Sequence, residues 1–167
     1  MKIYGPGKPA YEKTTKEYLE EMFRTAFFPT PIQKLVDKVE IYDYSAGDFQ
    51  IGDVKIQVRE QKHSSPSFQI CIDEKLVYAT DVCFEKNVWN HELKGKILLH
   101  ECCEIDVYDP THTTLTHLMD GISEEQFEKI YLIHHNAEWS EEDRERVEEM
   151  VAGTKFGVMH DGSVVEI

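Results

Sequence analysis

Eight histidines punctuate the chain, at positions 63, 91, 100, 112, 117, 134, 135 and 160. Several of them close a strand-like run, and so does one aspartate. His63 ends the run begun at Val54, and Asp81 follows Leu76-Val-Tyr-Ala-Thr80. His100 with Glu101 ends Ile97-Leu-Leu99, and His134 ends Ile130-Tyr-Leu-Ile133. Loops at strand ends are where binding and catalytic groups collect. Four strands that stop at titratable groups on one sheet edge would make a ligand rim. Imidazole and carboxylate suit zinc, manganese or iron. Singly, each histidine reads as a residue that satisfies a loop carbonyl or faces water; the recurrence gives the set its weight. His135 should point away from His134, because neighbours on a strand alternate sides. His91, His117 and His160 read as turn, helix or surface residues.

The elements that must position these groups follow from hydrophobic period. Met1 to Tyr4 reads as a short strand closed by Gly5-Pro6-Gly7. Thr14-x-x-Glu17 has the spacing of a capping box. Tyr18, Leu19, Met22, Phe23 and Phe27 then recur at helical spacing, and Pro29 and Pro31 end the helix. From Val39 the period becomes two, with Val54, Ile56 and Val58 alternating with Lys55, Gln57 and Arg59. Phe68–Ile72 and Leu76–Ala79 flank a predicted hairpin turn at Asp73-Glu74-Lys75. Lys96–Glu101 and Ile130–Ile133 read as buried strands. Ser123 caps a short helix, and Ser140 opens a longer one to about Val151. Its acid-rich run, Glu141 to Glu149, reads as a solvated face. The Asp161-Gly162 pair predicts a closing hairpin. Strands first, then helices between later strands, give an α/β chain with a mixed sheet flanked by helices.

Composition narrows the function. The chain has 167 residues, 41% hydrophobic and 30% charged, with 18 Lys and Arg against 32 Asp and Glu, a net charge of −14. That length predicts one domain, residues 1–167. So negative a field opposes general DNA binding, which depends on cations displacing counterions from phosphate. Apolar runs such as Ile97-Leu-Leu99 fall far short of the ~20 residues that cross a bilayer, so no membrane span is expected. Cys71, Cys83, Cys102 and Cys103 form no C-x-x-C pair. They read as buried, reduced thiols, and with no signal peptide visible the expected location is cytoplasmic.

Seven segments also occur in a telling order: Met1-Lys-Ile-Tyr-Gly-Pro6, Lys62-His63-Ser-Ser-Pro-Ser-Phe68, Glu74 to Thr80-Asp81, Leu98-Leu-His-Glu101, Thr111-His112-Thr-Thr114, Leu132-Ile-His134 and Met159-His-Asp-Gly162. Together they resemble the metallo-β-lactamase fold and, within it, the ribonuclease Z-like hydrolases. The resemblance covers the C-terminal half of that fold. It implies half of an αββα sandwich. It also implies roles: His63 for one metal, His134 for another, Asp81 between them, and His112, held by Glu101, assisting the leaving group.

The departures are as informative. The chain contains no H-x-H, so the His-x-His-x-Asp-His motif of the family's first half is absent. Thr80 stands where the family usually has glycine before the aspartate. The long arm that grips transfer RNA is missing between His63 and Asp81. Three ligands do not hold two ions tightly. The expected function is therefore a metal-dependent hydrolase of phosphodiesterase type, using Zn2+ or else Mn2+ or Fe2+. Its dinuclear site would be completed by an N-terminal half or a partner chain. The alternative is a truncated, non-catalytic module used in assembly or binding. Drift should erase ligands at random, yet His63, Asp81, His112 and His134 persist in register, which favours the functional half. A start at Met1 suits a split gene and a relic equally. Half a sandwich should leave an apolar sheet face in water, so a homodimer or a partner chain is expected.

Overall fold

Thr14 and Glu17 form the capping box that their spacing predicts. In the computed structural model, which describes residues 1–24, 34, 38–84 and 97–167, the Glu17 N–H donates to Thr14 Oγ1 at 3.1 Å, and the Thr14 N–H donates to Glu17 Oε2 at 2.8 Å. The expectations at Phe27, Pro29, Pro31, His91 and Lys96 lie outside the described residues. The chain divides into two units, Met1–Ala46 and Gly47–Ile167. The first holds β1 (Lys2–Gly5), α1 (Gly7–Ala10), α2 (Thr15–Met22) and β2 (Glu40–Asp43), with β1 parallel to β2. Asp43 ties it together, accepting from the Thr15 N–H at 2.8 Å. Gly7 has φ +44°, and a Cβ there would lie 2.0 Å from Asp43 Oδ1, so only glycine fits. None of the residues of α2 is buried.

The second unit is one seven-stranded sheet in chain order: β3 (Gly47–Ile51), β4 (Val54–Gln61), β5 (Ser67–Ile72), β6 (Leu76–Ala79), β7 (Ile97–Glu101), β8 (Lys129–Ile133) and β9 (Phe156–Val158). β3 to β6 are antiparallel neighbours, and β6 to β9 are parallel. The β5–β6 hairpin turns through Asp73 and Glu74, at φ 51° and 57°. Two successive positive φ values make a type I′ turn, whose twist suits a hairpin. Helix α3 (Leu115–Gly121) lies in the β7–β8 connection and α4 (Glu141–Val151) in the β8–β9 connection. Between α3 and β8, the segment capped by Ser123 is a single 3-10 turn, Glu124–Gln126.

Sheet register sorts the side chains onto two faces. One carries Cys71, Val77, Ala79, Leu98, Ile130, Leu132 and Phe156, which join Leu115 and Leu118 of α3 and Val147 and Val151 of α4 in the core. Toward β3 and β4 this same face turns polar, with Asp48, Gln57 and Arg59. The opposite face is apolar through its middle, with Glu60, Glu101 and Lys129 toward its ends. It carries Ile56 and Val58, which are buried, and Ile70, Ile72, Leu76, Tyr78, Leu99, Tyr131 and Ile133, which are not fully buried. The expected closing hairpin is only half made. Asp161 and Gly162 do turn, with the Ser163 N–H donating to the His160 carbonyl at 3.0 Å, but residues 163–167 form no strand. Val164 there is 84% exposed and packs on nothing that would hold a strand.

His100, on the core face, is fully buried, and its Nδ1 donates to the Glu101 carbonyl at 2.8 Å. Burial holds its imidazole at about 4, below the usual 6.5. Between those values the unfolded chain takes up a proton that the folded chain refuses, so stability falls as pH falls through that window, by about 3 kcal/mol at full extent. Urea midpoints at pH 7 and pH 4.5 should therefore diverge more for the wild type than for His100→Gln. Equal losses in the two proteins would contradict this role for His100.

Candidate metal centre

Strand direction explains why the chemistry gathers in one place. β6, β7 and β8 are parallel, and β4 runs the same way because two antiparallel steps separate it from β6. The residues that follow these four strands therefore emerge at one sheet edge. Register aligns them closely: Ala79 is opposite His100, and Glu101 is opposite Ile133. Asp81, Glu101 and His134 thus leave neighbouring strands within two residues of each other's level. His63 follows β4, and His112 comes from the loop ahead of α3.

Asp81, Glu101, His112 and His134 each offer a ligand atom, and these atoms all lie within 4.8 Å of one another. His134 Nε2 is 3.6 Å from Asp81 Oδ1, and its Nδ1 is 3.9 Å from Glu101 Oε2. The His112 ring stacks on that of His134 at 5.9 Å and meets His63 edge-on at 5.1 Å. Asp81 and His134 both adopt positive φ, 51° and 54°. Non-glycine residues in that region are uncommon, and the strain of order 1–3 kcal/mol persists only where surroundings impose it. Their side chains are half-exposed, at 51% and 44%. The site therefore opens to solvent on the Asp81–His134 side.

Glu101 is the opposite case, with no exposed surface. A buried carboxylate must find donors. Its Oε1 accepts from the Thr113 N–H at 2.7 Å, and its Oε2 from the Val82 N–H at 3.1 Å. His112 Nδ1 lies 3.2 Å from Oε1 and 3.3 Å from Oε2. Thr113 fastens the same two loops again. Its hydroxyl donates to the Val82 carbonyl at 2.6 Å and accepts from the Phe84 N–H at 3.1 Å. The loop carrying His112 is itself folded by Asp109, whose Oδ1 accepts from the Thr111 hydroxyl and from the N–H groups of Thr111 and His112. These bonds, led by the Thr111 hydroxyl, hold the Asp109 carboxyl below its usual range. The loop after β4 is joined to the loop after β6, since the Cys83 N–H donates to the Lys62 carbonyl at 2.7 Å.

His63 provides a test of whether a metal suits these residues. Its Nδ1 faces Ser65, accepting from that residue's N–H at 3.4 Å. Its Nε2 is shut off from solvent and has no hydrogen-bond partner. A buried, unsatisfied imidazole nitrogen is what an unfilled ligand leaves, and His63 meets the cluster through the His112 ring although it is not one of the four residues whose ligand atoms converge. The residues fit a metal. Among the described residues no thiol joins the converging group; burial, reinforced by nearby Glu104 and Glu101, pushes Cys103 up to about 11, and burial raises Cys102 still further.

The remaining candidates stand apart from the centre. His117 sits on α3, 6.1 Å from the Tyr108 ring, and His135 stacks on Trp139 at 4.7 Å. His160 pairs with Glu148 at 3.0 Å. Lys55 and Arg59 are held by Glu74 and Asp48, at 2.6 and 2.7 Å. The clamp residues Thr113 and Asp109 were not singled out from sequence. Asp109-Pro110-Thr111 carries the signal, since aspartate two residues before an N–H is an Asx turn.

The architecture is similar to that of the metallo-β-lactamase fold protein YhfI from Bacillus subtilis, with a TM-score of 0.65 and 13% identity, covering 95% of this chain and 61% of that one. A diphosphatase of the PhnP family is similar at a TM-score of 0.65 and 11% identity, covering 99% and 71%. Human tRNase Z, short form (ELAC1), is similar at 0.59 and 14%, covering 99% and 67%. At these identities the likeness establishes the fold, which is that of the metallo-β-lactamases. The chain spans less than two thirds of the length of YhfI. No curated protein matches it in sequence. Residues 10–155 match the family model of the anti-Pycsar protein Apyc1, and the chain belongs to that family.

Proposed function

We propose that the chain is a metal-dependent phosphodiesterase whose catalytic edge is the cluster of Asp81, Glu101, His112 and His134. The observation that carries this reading is the convergence of four ligand atoms within 4.8 Å at the ends of three parallel strands and one clamped loop. His63, Asp81 and His134 would hold the ion, Zn2+ or else Mn2+ or Fe2+. Bound there, a metal supplies a nucleophilic hydroxide near neutral pH and polarises a phosphoryl oxygen. The chain's own groups do the rest. Glu101 faces Nδ1 of His112 and fixes that ring, which leaves Nε2 to present a proton to the departing oxygen. Two backbone N–H donors already occupy Glu101, so it positions His112. Asp81 and His134, half-exposed, leave the substrate side open.

A dinuclear site needs more ligands than the described residues bring together, and the sequence has no H-x-H string. The apolar sheet face, which is only partly buried, supports completion by a second sheet, from a partner chain, another copy or further polypeptide. The same two observations favour the competing reading of a non-catalytic module used in assembly. Metal and turnover separate the two.

Two measurements test the proposal. Elemental analysis should find near-stoichiometric metal, lost in Asp81→Ala and retained in His112→Ala. Hydrolysis of bis-p-nitrophenyl phosphate and of 3′,5′-cyclic nucleotides should fall about 10²–10⁴-fold in His112→Ala. Turnover that survives both substitutions, or a metal-free wild type without activity, contradicts it. Sedimentation across the micromolar range should show a dimer or larger species; a well-folded, monodisperse monomer contradicts the covered face.

A further inference from the structure

Two residues beyond His134, every polar atom of Asn136 is engaged. Its Nδ2 donates to Glu104 Oε1 at 2.6 Å, and its Oδ1 accepts from the Glu138 N–H at 3.0 Å. Its own N–H donates to the Cys103 carbonyl at 3.2 Å, and its carbonyl accepts from the Trp139 N–H at 3.1 Å. Asn136 and Glu104 are both partly buried, and a bond from an amide to a carboxylate is stronger than one between neutral groups. Glu104 passes the connection on. Its carbonyl accepts from the Leu115 N–H at 2.9 Å, while the Cys103 N–H donates to the Thr113 carbonyl at 3.0 Å. The Asn136–Glu104 pair therefore ties the loop after β8 to the segment ahead of α3 that carries His112, by way of the residues that follow β7. These bonds are separate from those that Glu101 makes.

The tie bears on His134. The chain enters that residue from Ile133, whose carbonyl accepts from the Cys102 N–H at 2.8 Å, and leaves it toward Asn136, bound to Cys103. Between these anchors His134 stands at φ 54°, a conformation that an unrestrained histidine would leave for negative φ. Its side chain is half-exposed, so backbone position more than packing sets where the imidazole can reach. Ligands bind a cation tightly when they already stand near their bound positions. We propose that Asn136, through Glu104, is a positioning residue for the metal centre: it is not one of the four converging residues, and it holds the His134 backbone in the strained conformation from which the imidazole faces Asp81. The proposal rests on reading the cluster as a metal centre, and it makes metal affinity depend on a polar pair outside that cluster.

The test titrates Co2+ into the intact, metal-free chain and reads its visible absorption. Asn136→Asp sets a carboxylate against Glu104 and should weaken Co2+ binding about tenfold or more, although the charge it adds would by itself attract a cation. Asn136→Ser, too short to reach Glu104, should weaken binding likewise and carries the test if Asn136→Asp does not fold. Glu104→Gln keeps an acceptor oxygen and should change little. Asn136→Asp combined with Glu104→Gln keeps the net charge of the wild type and rebuilds the bond with donor and acceptor exchanged, so it should restore affinity. In the metal-free chain, the ring Cε1–H resonance of His134 should move in Asn136→Asp and return in the double variant. Co2+ binding per folded chain that is unchanged in the single variants, or a folded double variant that stays weak, overturns the proposal and leaves Asn136 to the stability of the fold alone. A wild type that binds no Co2+, yet shows the His134 resonance moving and returning, would instead sink the metal reading and leave Asn136 as the residue that sets this ring.

Discussion

A carboxylate with no contact with water holds this site together. Removing such a group from solvent costs several kcal/mol unless donors replace the lost water. Glu101 obtains them from two loops, from the N–H of Val82 after β6 and the N–H of Thr113 ahead of α3, and it adds the His112 ring. The loops that carry Asp81 and His112 are thereby joined through one side chain. Thr113 repeats the tie through its hydroxyl. Removing Glu101 would free two backbone donors and a ring together, so stability and site geometry cannot be varied separately at this position.

The sheet determines what Glu101 can gather. Parallel pairing of β6, β7 and β8 aligns their C-terminal ends, and the hairpins from β4 to β6 return His63 to the same edge. Helices α3 and α4 bury one side of the sheet. The other side, from Ile70 through Leu99 to Ile133, keeps its apolar character without a full cover. The fold thus devotes one face to its own stability and leaves the other suited to a second layer, the arrangement of a sandwich.

Much of this was legible in the residues. Alternation located β4, hairpin and buried apolar runs located β5 to β8, and the Ser and Thr caps located α2 and α4. Strand endings pointed to His63, Asp81, His100 with Glu101, and His134 as one rim, the resemblance added His112, and His100 went instead into the core. What periodicity could not convey is backbone conformation. Nothing in the types of Asp81 and His134 reveals their positive φ, which tertiary packing imposes. At α4 composition reads correctly, since the acid-rich run is the solvated face and only Val147 and Val151 are buried behind it. The C-terminal Asp-Gly pair predicts a hairpin correctly as a turn, yet a strand forms only where a neighbour receives it, and Val164 has none. The stripe of α2 illustrates the same limit, since a helical apolar period does not by itself supply a surface to bury it.

The central claim is that the strand-end cluster is a metal centre. Anomalous X-ray diffraction from crystals of the chain grown with Zn2+ tests it most directly. The account predicts an anomalous peak within coordinating distance of Asp81 and His134, with His63 Nε2 turned toward it. Crystals with zinc bound only elsewhere, and with these side chains unchanged around an empty space, would contradict it.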